Sequence, residues 1–384
     1  MSDPKAAARS AVERHHRALV DLSHRVHAHN ELKWEEERSS AAVAEALAER
    51  GFATRAGICD LPTAFEARAG SGPLEVVVCA EYDALPGIGH ACGHNVIAAM
   101  AVGAGVALAE VADDIGITVR VMGTPAEEGG AGKIVMLGAG AFSGAHLAVM
   151  GHPAPYDVAC PPMIAAQQFA VRYQGKEAHA SAYPEFGVNA ADALTVAQVA
   201  LGLLRQHTEA GQQVHGIVTH GGDAPNIVPA RTEAEYMVRG RTLESFGAMY
   251  GKVMRCFEAG ALAAGATLDV VTRHVPYAEV SHDAEVAACY RRNAEALGRV
   301  FPAIERRPGG STDMGNVSAV IPAIHPLIGI DSLPAVNHQP EFSAHAVRPA
   351  ADAAIADGAA ALAWTVIDCA TDPAVRTRLL GAPG

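Results

Sequence analysis

Apolar positions recur at helical spacing from Ala6 to Ala28 and again from Glu35 to Arg50, where Gly51 offers a C-terminal stop. The texture then changes. Leu74 to Ala80 is a short β-branched run, as expected of a buried strand. Helical spacing returns from Val96 to Val111, followed by a strand from Ile117 to Met122, a helical start from Lys133 to Leu137 and a strand from His146 to Met150. This alternation predicts an α/β domain whose mostly parallel sheet is covered by helices on both faces.

From about Gln167 the order differs. Strands are expected at 167–174, 214–220, 232–240 and 267–274, and helices at 189–206 and 243–262. Four strands with two helices predict a compact α+β sandwich inserted into the first domain. After Pro276 come a helix from Asp283 to Val300, short strands and an Ala-rich helix from Ala350 to Cys369. A chain of 384 residues exceeds what one core usually serves. The expected division is 1–164 with 277–384 as one domain, and 165–276 as the insert.

Composition narrows the function. Half the residues are apolar and 18% are charged, the balance of a soluble globular chain. A net charge of −13 argues against nucleic acid as a partner. No uninterrupted apolar run reaches the roughly 18 residues of a membrane span, so no membrane partner is expected. The start, Met1-Ser2-Asp3-Pro4-Lys5, lacks the layout of a secretory signal, and seven cysteines without one do not suggest a disulfide framework. The cytoplasm is the default location.

The chemistry gathers at strand ends. Asp83 follows the first strand of the alternating region, Glu127 and Glu128 the second, and His152 the third. Open α/β sheets bind ligands at such carboxyl ends. Cys92 and His94, two residues apart, add a thiolate and an imidazole, and with His338 the set can hold one or two zinc-like ions. Adjacent side chains diverge, so Glu128 can hold metal while Glu127 serves as general base toward the attacking water. Asp83 can orient a ligating histidine, and His90 is a weaker candidate for that role. Each has a bland alternative: a buried cysteine, a solvated acidic turn, a structural histidine, a turn aspartate.

In the insert, His179 follows a strand and could polarise a carbonyl. Asn226 and Arg241 could grip a substrate carboxylate. Gly309-Gly310-Ser311-Thr312-Asp313 reads as a ligand-facing loop, with helix capping by Ser311 or Thr312 as the alternative. Rival readings are a cysteine hydrolase using Cys92 with His94 or His90, and a non-catalytic binding protein. No dinucleotide fingerprint or Gly-x-Ser-x-Gly elbow is present.

Three motifs carry a likeness. They are Leu22 to Leu32, with Asn30 where proline is usual; Glu81-Tyr82-Asp83-Ala84-Leu85-Pro86-Gly87-Ile88-Gly89-His90-Ala91-Cys92-Gly93-His94-Asn95; and Gly310 to Ser318. They resemble the di-metal aminoacylase and carboxypeptidase family of peptidases, in the amidohydrolase branch with hippurate hydrolase, aminobenzoyl-glutamate hydrolase and β-alanyl-lysine dipeptidase. The resemblance implies a catalytic domain with an inserted lid that also builds a homodimer. It implies two divalent ions, zinc first with manganese or cobalt as alternatives, on Cys92, His94, Glu128, His152 and His338, with Glu127 as base. The substrate would be an N-acyl amino acid or unusual dipeptide, with Asn226 and Arg241 at its carboxylate and His179 reaching the partner subunit's site. Two departures stand out: the usual Arg-Ala-Asp-Met-Asp is Cys79-Ala80-Glu81-Tyr82-Asp83, and the usual Leu-His-Ser-Pro is Asn337-His338-Gln339-Pro340.

Overall fold

The computed structural model describes residues 3–303 and 310–382. Gly309, the expected start of the ligand-facing loop, lies outside the described residues. The chain divides into two compact units: one runs to Pro162 and resumes at Val280, and the other runs Met163–Glu279 and takes in Ser311 and Thr312.

The first unit is built on a six-stranded sheet in the order Ala53–Ala56, Phe65–Gly70, Ile117–Gly123, Leu74–Ala80, Leu147–Val149, Ala323–Ile324. The last four strands are parallel, and the first two join them antiparallel. Ile117–Gly123 is buried throughout and Leu74–Ala80 at all but one position, as continuous apolar strands require. The antiparallel edge was not expected: its runs are short and rich in alanine, which blurs the period-two signal. A separate parallel pair joins His152–Ala154 to Leu327–Gly329.

Register places the chemistry. Ala80 pairs with Gly123, and the Thr124 amide donates to the Ala80 carbonyl at 2.8 Å. Both chains therefore leave the sheet at one edge, releasing Glu81 to Asp83 beside the turn that carries Glu127 and Glu128.

The helix His94–Ala109 starts two residues earlier than expected and is buried along its length. Gly93 precedes it at φ 77, and a Cβ there would lie 2.5 Å from Pro153 Cγ, so glycine is required on both counts. The helix packs against Pro4–His29 and Pro349–Thr371. At Gly103 a Cβ would come within 2.9 Å of Ala359 Cβ and Leu19 Cδ1, so the absent side chain lets three helices close together. Pro349–Thr371 is long and apolar enough to cross a membrane by length and composition, but 72% of its 18-residue apolar stretch is buried inside the protein. It reads as a core helix.

The second unit has its own core. Its antiparallel sheet runs in the order Thr267–Thr272, Ala165–Gln174, Arg231–Gly240, Gln213–His220. Arg231–Gly240 alternates strictly, burying Thr232, Ala234, Tyr236, Val238 and Gly240. The helices Ala190–Leu204 and Leu243–Ala264 pack together over this sheet. Asn189 and Thr242 cap them, accepting from Ala191 N and Ser245 N.

Candidate metal centre

Five of the singled-out side chains converge in the first unit, and backbone geometry explains how. The turn at Gly93 sets Cys92 beside His94, the first residue of the buried helix. Glu127 and Glu128 follow Ala126, held at φ 58 by a bond from its amide to Glu36 Oε1 at 2.8 Å. His152 starts its strand. His338 adopts φ 68 and its amide donates to the Ala91 carbonyl at 2.8 Å, which ties the last third of the chain to the Cys92 loop.

Cys92 Sγ stands 3.5 Å from His152 Nε2 and 3.5 Å from His338 Nε2. Glu128 Oε1 is 3.4 Å from His338 Nε2 and 3.9 Å from His94 Nε2. Cys92, His94 and His152 form one set, and Cys92, Glu128 and His338 a second, with ligand atoms within 4.8 Å of one another in each. Tetrahedral ligands at about 2.1–2.3 Å from an ion stand about 3.4–3.8 Å apart. His94 Nε2 and Glu128 Oε1 are buried without a hydrogen-bond partner among the described residues. Spacing, orphaned donors and chemistry all fit a divalent cation.

Hydrogen bonds aim the donors. Asp83 Oδ1 accepts from His94 Nδ1 at 2.9 Å, and Asp83 Oδ2 from the Glu128 amide at 2.9 Å. His152 Nδ1 donates to the Pro153 carbonyl at 2.8 Å. These bonds assign the tautomers and leave both Nε2 atoms bare toward the cluster. Asp83 is thus the orienting carboxylate. His90 is spent elsewhere: its Nε2 donates to the Val26 carbonyl at 3.0 Å, and burial holds its pKa down at about 3.

The cluster is crowded with acceptors, and proton affinities record it. Burial, then the charges of Glu81, Glu128 and Asp313, raise Glu127 well above the carboxylate range. Burial and the Cys92 charge lift Glu128 to about 7. Burial also opposes ionisation of Cys92, but the charge of His152 and the nearness of the His152, His338 and His94 imidazoles outweigh it and hold the thiol well below its ordinary value. The nearness of Cys92, then of Glu128, raises His338 to about 10. Its side chain is 57% exposed while that of His94 is fully buried, so the cluster opens to solvent at His338.

The insert's candidates, with Ser311 and Thr312, belong to the second unit. The Ala180 amide donates to the Asn226 carbonyl at 3.0 Å, so the loops of His179 and Asn226 run together. His179 Nδ1 accepts from the Ala182 amide at 3.2 Å, which leaves its proton on Nε2. Arg241 Nε donates to the Ala210 carbonyl at 3.0 Å. Half-buried Arg239 donates to Ser311 Oγ at 3.0 Å, and that hydroxyl donates to the Ile164 carbonyl at 2.7 Å. Ser311 is therefore engaged with Arg239 and Ile164; Thr312 is buried, and Asp313 occupies the cap position of the next helix. Arg239 was not singled out. The alternation of its strand, with odd-numbered positions turned from the core, was the available signal.

Also missed was a fully buried charged triad. Lys133 Nζ forms a short ion pair with Glu81 Oε1 and another with Asp313 Oδ1 at 2.7 Å. Removing one partner from such a pair costs about 3–5 kcal/mol. A lysine opening an apolar helical run was its faint trace.

Residues 77–365 match the model of a family described as peptidase family M20/M25/M40. A Mus musculus protein, Xaa-Arg dipeptidase, is 41% identical over 331 residues, 82% of this chain and 76% of its own length. One of the two kinds of chain in Escherichia coli p-aminobenzoyl-glutamate hydrolase is 30% identical over 280 residues, 67% of this chain and 58% of its own. The crystal structure of a dinuclear metal-binding peptidase from Bacillus subtilis superposes with a TM-score of 0.67, covering 93% of this chain and 99% of that one; at 23% identity the likeness is one of fold.

Proposed function

The chain belongs to peptidase family M20/M25/M40 and is an enzyme acting on amide bonds; from that premise we propose a metal-dependent dipeptidase or N-acyl-amino-acid amidohydrolase that works with two divalent ions. One observation carries the metal reading: Cys92 belongs to both donor sets, its sulfur 3.5 Å from His152 and from His338. Cys92, His94, Glu128, His152 and His338 would hold the ions. A thiolate with imidazoles favours zinc, with manganese and cobalt as alternatives.

Bound ions would supply a Lewis acid for the amide carbonyl and ease the loss of a proton from water. The chain's own residues do the rest. Glu127 shares its turn with Glu128 and brings Oε2 to 4.0 Å from His94 Nε2. It takes the proton of the attacking water and passes it to the leaving nitrogen. Asp83 keeps His94 Nε2 turned inward. His179 offers Nε2–H to the oxygen that gains charge. Asn226 and Arg241 are assigned to the substrate carboxylate, with Ser311 and Thr312 on a loop facing it. The bond from Arg239 to Ser311 favours Arg239 as a second candidate for that grip.

The mouse relative is named for dipeptides ending in arginine. We extend to this chain dipeptides with a basic C-terminal residue, alongside N-acyl amino acids. The second unit is the proposed dimer surface. Its sheet ends on the edge strand Gln213–His220, where Ile217 is 67% exposed, and Leu203 on the helix Ala190–Leu204 is 64% exposed.

The test is elemental analysis of the purified protein with a hydrolysis panel of β-alanyl, N-acetyl, N-benzoyl and Xaa-Arg substrates. About two ions per chain and turnover of at least one class are expected. No bound metal, and no turnover after loading with zinc, manganese or cobalt, would sink the reading.

A further inference from the structure

Glu81 is a buried acid that the chemistry above leaves unused. It follows the strand Leu74–Ala80, is 0% exposed, and its two oxygens keep different company. Oε1 takes the short ion pair from Lys133, whose Nζ also bonds Asp313 Oδ1 at 2.7 Å. Oε2 has no hydrogen-bond partner among the described residues and faces His94 Nε2 at 3.5 Å, an atom equally orphaned.

The tautomer sharpens this. His94 spends its Nδ1–H on Asp83, so Nε2 turns a lone pair toward a carboxylate oxygen. In a buried site two acceptors at that distance repel unless a positive charge lies between them. Glu127 Oε2 stands 4.0 Å from the same nitrogen, and the ligand atoms of Glu81, His94 and Glu127 all lie within 4.8 Å of one another. The spacing of 3.5 Å is close to the edge of a tetrahedron of ligands about 2.1 Å from an ion. Lys133 accounts for Oε1 alone; Oε2 is turned toward His94 Nε2 and makes no hydrogen bond there.

We infer that Glu81 is a further ligand of the ion held by His94, reaching it through Oε2 while Lys133 anchors Oε1. The inference rests on the metal-centre reading above and adds a donor to it. Lys133 is then a positioning residue: it fixes the carboxylate plane and removes one oxygen from competition, as outer partners of metal ligands do.

The test is cobalt(II) titration of the metal-stripped full-length protein, followed by visible absorption, with zinc competition for affinity. Wild type is expected to take up two ions. Glu81→Gln should keep one ion at wild-type affinity and hold the other at least about tenfold more weakly, with a changed cobalt spectrum. Glu81→Asp keeps the charge but shortens the reach, and should weaken the same ion. Wild-type affinities and spectra in both variants would overturn the inference. Should either substitution unsettle the buried ion pairs, the crystal structure of the cobalt-loaded wild type decides. Glu81 Oε2 at about 2.0–2.2 Å from an ion supports the assignment, and a separation beyond about 3 Å overturns it. A wild-type protein that takes up no cobalt overturns the metal-centre reading itself and this inference with it.

Discussion

Asp83 accepts a hydrogen bond from His94 Nδ1 at 2.9 Å and, through its other oxygen, one from the Glu128 amide at 2.9 Å. One carboxylate thereby orients two of the proposed ligands from opposite sides. Asp83→Asn keeps the shape, removes the charge and frees the imidazole to change tautomer. Metal affinity is expected to fall about 10–100-fold, as for other outer partners of metal ligands. Competition titration against a chelator of known affinity measures it, and an unchanged affinity would remove Asp83 from this role.

Glu127→Gln separates binding from proton transfer. The amide keeps the side chain's size but cannot take a proton from water. Metal content should remain at the wild-type level while kcat falls by about 10²–10⁴ or more. Turnover near wild type would show that another group is the base.

Chelation distinguishes the metal enzyme from a thiol hydrolase. Stripping the ions should abolish turnover, and adding back zinc, manganese or cobalt should restore it. Cys92 has the depressed proton affinity of a reactive thiolate. A nucleophilic role would therefore show as activity that survives chelation and disappears on alkylation.

Stability should depend on pH through Glu36, the buried acid that holds the turn before Glu127. Burial and then the Asp83 charge raise its pKa from 4.5 to about 7, against bonds from the Ala126 amide and the Thr63 hydroxyl. Because the folded-state value lies above the unfolded one, the folded chain holds the extra proton. The contribution is full below 4.5 and is lost as pH rises through 7. Glu36→Gln accepts the same amide bonds without titrating. Relative to wild type it should gain up to roughly 3 kcal/mol between pH 4.5 and pH 8. Urea unfolding of both proteins at the two pH values, in the same metal state, checks this. An equal change in both would mean that Glu36 does not carry the dependence.

The proposed dimer is tested at the edge strand. Ile217→Lys with Leu203→Glu places charges on two exposed apolar positions of the second unit. Sedimentation should show the wild type as a dimer and the double variant as a monomer. A wild type that is already monomeric would end the proposal.

Much of this was legible in the chain because the parallel strands are short, apolar and followed at once by chemistry. The residues after Ala80, Gly123 and Val149 could be placed at one sheet edge before any coordinates. Pairings made across long stretches of chain were not legible. Lys133 meets Asp313 across 180 residues, and no local pattern in either segment signals the other. Arg239 and Arg241 are two residues apart and share the same parity; they differ in that Arg239 lies within the strand Arg231–Gly240 and Arg241 just past its end, a boundary that local pattern does not mark. His94 was expected just ahead of a helix, whereas the left-handed turn at Gly93 makes it the first helical residue.

His338 reaches the Cys92 loop from a segment that follows the whole second unit. A growing polypeptide thus carries Cys92, His94, Glu128 and His152 long before the residue that closes the ring has been synthesised. In the proposed centre, a product ending before Asn337 would keep the set of Cys92, His94 and His152 but lack the donor that completes the set of Cys92 and Glu128, however well its earlier parts had folded.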